Sequence, residues 1–252
     1  MPGVTEFIFF HLNPAVKPED PTNNEAGASL LQLFKNTKHQ NGYLGSSWGR
    51  STEDENVIVW VIDWKDAQTA PTLIPSLTPY LAPSTPLTTF YATLSPAPPP
   101  HQTHDLSSSP VTEIFTPWFP TSMSAEEKKN LHESLVAFRT ELVENLEEGK
   151  RPQRLIMGQV ERPGTRKHGD SPSGEAFGMV VLAGWESVEA HMDIKGTEAF
   201  GRGIAPIRGW MLKGDGGDAE KGEGGFGIMR HCEEYDVQDG RIGKGYGKGI
   251  IN

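Results

Sequence analysis

Cysteine is almost missing from this sequence: a single one, Cys232, stands among 252 residues. That excludes an internal disulfide and a cysteine-built zinc site. Long apolar runs are missing too. The N-terminal "FIFFHL", Phe7 to Leu12, is too short and too poor in flanking cations for a signal peptide, and no run reaches the roughly 20 residues of a membrane helix. Cations are in deficit, with 23 Lys and Arg against 33 Asp and Glu and a formal charge of -10. Phosphate backbones and anionic lipid surfaces call for clustered Lys and Arg, so neither nucleic acid nor membrane is expected as a partner. No Gly-rich dinucleotide fingerprint follows a strand, and no serine-nucleophile elbow occurs. The tail "GRIGKGYGKG" has glycines but no following helix, so it is not a phosphate loop. The expectation is a cytoplasmic protein without a nicotinamide or flavin cofactor.

What is present suits a globular chain: 36% apolar and 22% charged residues, with 28 Gly and 20 Pro that imply long irregular segments. One such segment, "SPAPPPHQTHDLSSSP", supports neither ladder nor helix and reads as a linker over residues 95–110. The stretches flanking it begin alike, "VTEFIFFHLNP" from Val4 and "VTEIFTPWFPT" from Val111. Farther along, "VIVWVIDW" ends at Trp64 and "GMVVLAGW" at Trp185, both β-rich runs closed by tryptophan. A divergent tandem repeat accounts for both coincidences. It divides the chain into residues 1–94, the linker, residues 111–238 and a Gly-rich tail at 239–252.

Each half reads as β-α-β-β-α-β. In the second, Ile114–Phe119 is a strand, and Ala125–Leu146 is an amphipathic helix with Leu131, Leu135, Phe138, Leu142 and Leu146 on one face and Ser124 as its N-cap. "RLIMGQVER", "AFGMVVLAGW" and "FGIMRHCEEYDV" supply the other strands, and "AGWESVEAHMDIKGTEAF" the second helix. The first half follows the same order, but Pro71, Pro75 and Pro79 reduce its second helix to short turns. The basic run "RPGTRKHG" reads as a solvated loop.

Five residues are candidates for chemistry. Alternation along the first strand puts Phe7, Phe9 and His11 on one face; His11 is either a tunable base among aromatics or a strand-end histidine bonded to a carbonyl. The repeat alignment matches His11 with Trp118, which makes Trp118 a candidate for substrate contact. His191 lies six residues beyond Trp185, with Ile194 and Lys195 on the same side of its helix. It is either a cavity-facing base or a solvent-facing or helix-packing residue. Trp48 and Arg50 share a face of "SSWGRS"; the guanidinium could hold an enolate or phenolate oxygen, or pair with Glu53 or Asp54. "HQTHD" at residues 101–105 has metal-ligand letters, but a Pro-rich linker lacks the rigid second shell a metal needs, so no metal site is expected.

With "GYLGSSWGRSTEDENVIVWVIDW" in one half and "GWESVEAHMDIKGTEAF" in the other, the sequence resembles the dimeric α+β barrel superfamily, in particular antibiotic-biosynthesis-monooxygenase-like members in fungal-type tandem form. The likeness spans both halves except the linker and tail. It implies an α+β fold of two ferredoxin-like units that form one barrel within the chain. It also implies a small hydrophobic or aromatic ligand, no bound cofactor, and His11 or His191 as the base of a cofactor-independent monooxygenase of secondary metabolism. A non-redox cyclase, isomerase or decarboxylase needs the same base and cavity, and a non-catalytic ligand-binding or stress-response barrel needs only the cavity. Oligomeric state is left open.

Overall fold

The computed structural model describes residues 3–66, 73–85, 87–95 and 109–213 in full, and residues 225–231 as backbone. Most of the expected linker, the loop 214–224, Cys232 and the tail lie outside the described residues.

Ten strands and five α-helices are described: β1 (Val4–His11), α1 (Glu25–Thr37), β2 (Tyr43–Ser51), β3 (Val57–Trp64), α2 (Ile74–Leu77), β4 (Thr88–Ser95), β5 (Val111–Thr116), β6 (Trp118–Pro120), α3 (Ala125–Thr140), β7 (Arg154–Arg162), β8 (Arg166–Lys167), β9 (Glu175–Trp185), α4 (Val188–Lys195), α5 (Glu198–Arg208) and β10 (Gly225–His231). Eight of the strands follow the order β5-β10-β2-β3-β1-β4-β7-β9, and β9 pairs back onto β5, so the antiparallel sheet closes on itself. Closure leaves none of these eight as a free edge. Within residues 4–95 the neighbour order is second, third, first, fourth strand, and the same order holds within 111–231. The two sets join where β4 pairs with β7 and where β10 pairs with β2.

Strand alternation sorts side chains onto two faces. Inside the ring, Phe7, Val59, Val61, Phe90 and Leu94 meet Ile114, Trp118, Val160, Val180 and Leu182 in one core drawn from both halves. Outside, Ile8, Phe10, Ile58, Trp60 and Trp64 pack under Leu30, Leu31 and Phe34 of α1. Val111, Phe115, Val181 and Trp185 pack under α3, α4 and α5 through Leu135, Phe138, Ile194, Ile204 and Ile207. Each such aliphatic or aromatic side chain contributes roughly 1.5–3 kcal/mol when fully buried.

Local chemistry sets the element ends. Ser124 and Glu127 form a reciprocal capping box at α3. The expected helix to Leu146 instead ends its regular α-helix at Thr140 and runs on as a wider π turn over Glu141–Asn145. The expected single strand from Ile114 to Phe119 is split at Pro117, which has no N–H to give the ladder, into β5 and β6. The second helix of the second half also divides, because Gly196 ends α4 and the Thr197 hydroxyl caps α5 by accepting from the Phe200 N–H. Among the described residues, the proline-rich stretch of the first half leaves only the four residues of α2 and a 3-10 turn at Thr78–Tyr80. One expectation is corrected outright. "RPGTRKHG" is not a solvated loop throughout, since Arg166 and Lys167 pair with Ala176 and Glu175, and His168 is buried with its Nδ1 accepting from the Asp170 N–H.

Candidate functional site

The inside of the ring is filled by side chains. Phe7 and Phe90 stack at 4.7 Å between centroids, Phe9 lies 6.0 Å from Phe90, and the Arg166 guanidinium sits 3.9 Å over the Trp118 ring. Gly178 makes room for that indole: a Cβ there would meet Trp118 and Val160 atoms at 3.0 Å. Trp118 is thus a buried member of the shared core. His11 shares the inward face of β1 with Phe7 and Phe9 but stands at the strand end. Its side chain is 39% exposed, and Nε2 is 3.4 Å from Oδ2 of Asp54.

Trp48 and Arg50 do share a face, as alternation requires, but it is the outward face under α1. Trp48 packs beside Phe34, their centroids 5.7 Å apart, because β2 pairs Trp48 with Trp60 on the helix side. Arg50 forms an ion pair with Glu19, its Nη2 donating to Oε2 at 3.0 Å, and also donates to the Glu55 carbonyl. The ion pair with Glu19 is one that neither the enolate-holding role nor the pairing with Glu53 or Asp54 anticipated. The loop before α1 brings the partner in, a residue 31 positions away.

His191 is different. Ser187 starts α4 by accepting from the Ala190 N–H at 3.1 Å, and one turn later the helix turns His191 onto its sheet-facing side beside Ile194. The imidazole is 1% exposed, and its centroid is 5.4 Å from that of the Trp185 ring. Nε2 lies 3.0 Å from Oε1 of Glu113, off the line of a well-formed hydrogen bond, and Lys195 Nζ approaches the same oxygen at 3.4 Å. Glu113 comes from β5, where alternation sets it with Val111 and Phe115 toward the helices. Burial alone would raise the Glu113 carboxyl, but the contacts with His191 and Lys195 outweigh it and hold the group below its ordinary pKa of 4.5.

The chemistry of the pair follows from its donors. A carboxylate only accepts, so a ring turned toward it would, in its neutral form, carry the proton on Nε2 and leave the lone pair on Nδ1. That second nitrogen is buried and has no hydrogen-bond partner among the described residues. A histidine oriented through one nitrogen by a carboxylate, with the other unoccupied, is equipped to take a proton.

Reasoning from sequence did not single out Glu113, the carboxylate that faces His191. The signal was in the repeated Val-Thr-Glu, which twice sets a carboxylate into the opening of an apolar strand. Among the described residues, no group of three His, Cys, Asp or Glu side chains could hold a metal ion, and no helix is long and apolar enough to cross a membrane.

No family model matches the chain. No curated protein matches it by sequence. Solved structures do match it over nearly its whole length. An anthrone oxidase-like protein superposes with a TM-score of 0.53 at 12% identity, covering 92% of each chain. A monooxygenase-like protein of Fusobacterium nucleatum gives 0.51 at 8% identity, over 92% of this chain and 93% of that one. A chlorite dismutase variant from Candidatus Nitrospira defluvii gives 0.50 at 10% identity and 90% of each. At such identities the likeness is one of fold: these neighbours share with this chain a mixed α+β fold.

Proposed function

We propose that this chain is a tandem member of the dimeric α+β barrel superfamily, with ferredoxin-like repeats at residues 1–94 and 111–238, and that it is an enzyme in which His191 removes a proton from a small aromatic or polyketide-type metabolite. The observation that carries the proposal is the His191–Glu113 pair: a ring 1% exposed, held 3.0 Å from a carboxylate, with its other nitrogen unpartnered among the described residues. Proton transfer to Nδ1 creates an imidazolium whose Nε2–H faces Glu113, so the charge that develops is met where it forms. Lys195 keeps that carboxylate ionised. The substrate's electron pair moves from the breaking C–H bond into an adjacent carbonyl, giving an enolate. With dioxygen as the oxidant, the enolate of an activated methylene goes on to a ketone, one oxygen atom entering the product and the other leaving as water. Without dioxygen, the same proton transfer serves a cyclase, isomerase or decarboxylase.

A second reading, a barrel that binds ligands or only supports structure, draws on the filled interior and on two depressions of the surface. One lies between α3 and α5 around Ser134, Ala137 and Gly203, the other beside Asn13 and Lys17. Neither contains His191.

The test uses anthrone. Deuterium exchange at its methylene under nitrogen reports proton abstraction, and oxygen uptake in air reports oxygenation. His191→Asn is expected to lower exchange by about a hundredfold or more at unchanged thermal stability, while His11→Ala leaves it intact. Full exchange by His191→Asn, or none by the wild type across a panel of anthrones, quinols and 1,3-diketones, removes the proposal.

A further inference from the structure

On the outside of the second half, α3 and α5 lie side by side. Gly203 lets them come close: a Cβ there would stand 2.9 Å from the Phe138 ring, which meets Phe200 edge to face with centroids 5.5 Å apart. On their outer side the two helices leave an open groove of about 590 Å³, lined by small residues that include Ser134, Ala137, Gly203 and Pro206. Val136, beside Ala137, is 46% exposed and is one of three large hydrophobic side chains so exposed among the described residues.

The lining suits a protein surface better than a small molecule. None of its polar or charged residues is buried, so nothing fixed points at a ligand. Short side chains instead let another helix approach closely. The charges are divided between the helices, with Glu133 on α3 and Glu141 on the π turn that extends it, and Arg202 on α5. A partner carrying one sign of charge would be drawn to one helix and repelled by the other. A second copy of the same surface, turned over, presents the opposite order.

We infer that this face is a two-fold self-association surface, with α3 of one copy resting on α5 of a second and the reverse. A two-fold axis along the groove exchanges the helices and keeps each residue at its own height. Arg202 stands level with Glu141 of its own chain, Nη2 lying 3.7 Å from Oε1, so the rotation sets it opposite Glu141 of the partner subunit. Its Nη1 is held by Glu198 at 2.7 Å, and the rest of the five-donor fork is available to bridge the two copies. The 16 residues of α3 span about 24 Å, and two helices each about 10 Å across give a footprint of at most about 500 Å². That is less than the roughly 800 Å² per partner of a stable complex, so the association is reversible, with a dissociation constant on the order of 10–100 μM. The formal charge of -10 on each copy opposes contact at low salt. At about 0.15 M salt it is screened beyond roughly 8 Å, and the facing Arg and Glu side chains decide the outcome. The inference is independent of the role given to His191.

Sedimentation velocity of the full chain, from about 1 to 500 μM in about 0.15 M salt, reads the association. The wild type is expected to pass from monomer to dimer across that range. Arg202→Glu and Glu141→Arg should each weaken dimerisation about tenfold or more, because each sets like charges opposite one another. An equimolar mixture of the two variants should then recover the wild-type affinity to within about threefold, since every Glu in the mixed dimer faces an Arg. A change confined to one chain cannot produce that recovery. Should either variant not fold, Ala137→Glu takes its place by setting a carboxylate in the groove: loss of dimer supports the inference, and undiminished dimer overturns it. A wild type that stays monomeric throughout, variants that dimerise as the wild type does, or a mixture no better than its components also overturns the inference, the first of these leaving the groove to a different partner.

Discussion

Glu6 and Glu113 sit at the same register in the two halves, and their surroundings shift their carboxyl pKa in opposite directions. Glu6 is surrounded by hydrogen-bond donors that do not titrate near neutrality: the Trp64 indole at 2.8 Å, the Tyr91 hydroxyl at 2.6 Å and the Thr89 hydroxyl at 3.5 Å. Burial raises its carboxyl, and those bonds, with the charge of Arg162, recover only part of the cost. Tyr91 is itself pushed well above the ordinary tyrosine pKa, by burial first and then by its bond to Glu6. Glu113 meets a histidine and a lysine, and the contacts with them carry it the other way. A buried carboxylate satisfied by neutral donors closes a structure; one facing a titratable ring can take part in proton transfer.

The largest break in this comparison is expected from Glu6→Ala. It strands the Trp64 and Tyr91 donors in the core, at about 1–3 kcal/mol each. Glu113→Ala should cost less, because Lys195 is 31% exposed and can turn to water. Chemical denaturation of both variants tests the order, and a larger loss for Glu113→Ala would reverse the roles assigned to the two carboxylates. Next comes the pair Trp64→Phe and Trp185→Phe. Both delete the same indole volume, but only the first removes a hydrogen bond to a carboxylate, so Trp64→Phe should be the more destabilising by roughly 1.5–3 kcal/mol. Equal losses would mean that the Trp185 N–H has an acceptor after all.

A smaller effect separates the halves by pH. Glu113 has a depressed folded pKa, so its contribution to stability is present above the ordinary value of 4.5 and is lost as pH falls through the folded value. Glu6 has a raised folded pKa, so its contribution is full below 4.5 and is lost as pH rises through the folded value. The stability gap between wild type and Glu113→Gln should therefore widen on going from pH 3 to 7, and that between wild type and Glu6→Gln should move in the opposite direction. Parallel pH profiles would contradict the assignment. The smallest change is expected at the exposed His11–Asp54 pair, where Asp54→Asn should alter stability by less than about 1 kcal/mol.

Much of the element order was legible because short-range chemistry fixes it. Ser124 announced α3, the apolar runs ending at Trp64 and Trp185 became β3 and β9, and the prolines between Pro71 and Pro79 left only brief turns among the described residues. His191 was legible as a candidate, but its spacing to Ile194 and Lys195 did not choose between base, packing and solvent-facing roles; the structure buries it on the sheet-facing side of its helix. Trp48 and Arg50 were legible as sharing a face, but not as to which face. A period of two sorts side chains into two sets and leaves inside and outside unnamed until the sheet curls. The partners were less legible still. Nothing near Arg50 in sequence pointed to Glu19, and nothing near His191 to Glu113, 78 positions earlier.

The sequence by itself determined the strands and helices, the caps and breaks, and the pair of glutamates that open β1 and β5, since each depends on residues within a few positions of one another. Only the tertiary structure decided that the ring is filled with side chains, that Glu6 meets Trp64 and Tyr91 while Glu113 meets His191 and Lys195, and that the Trp185 N–H finds no acceptor among the described residues. The physical reason is that hydrogen bonds and ion pairs act over about 3 Å in space whatever the separation along the chain, so partners are settled by sheet register and helix docking.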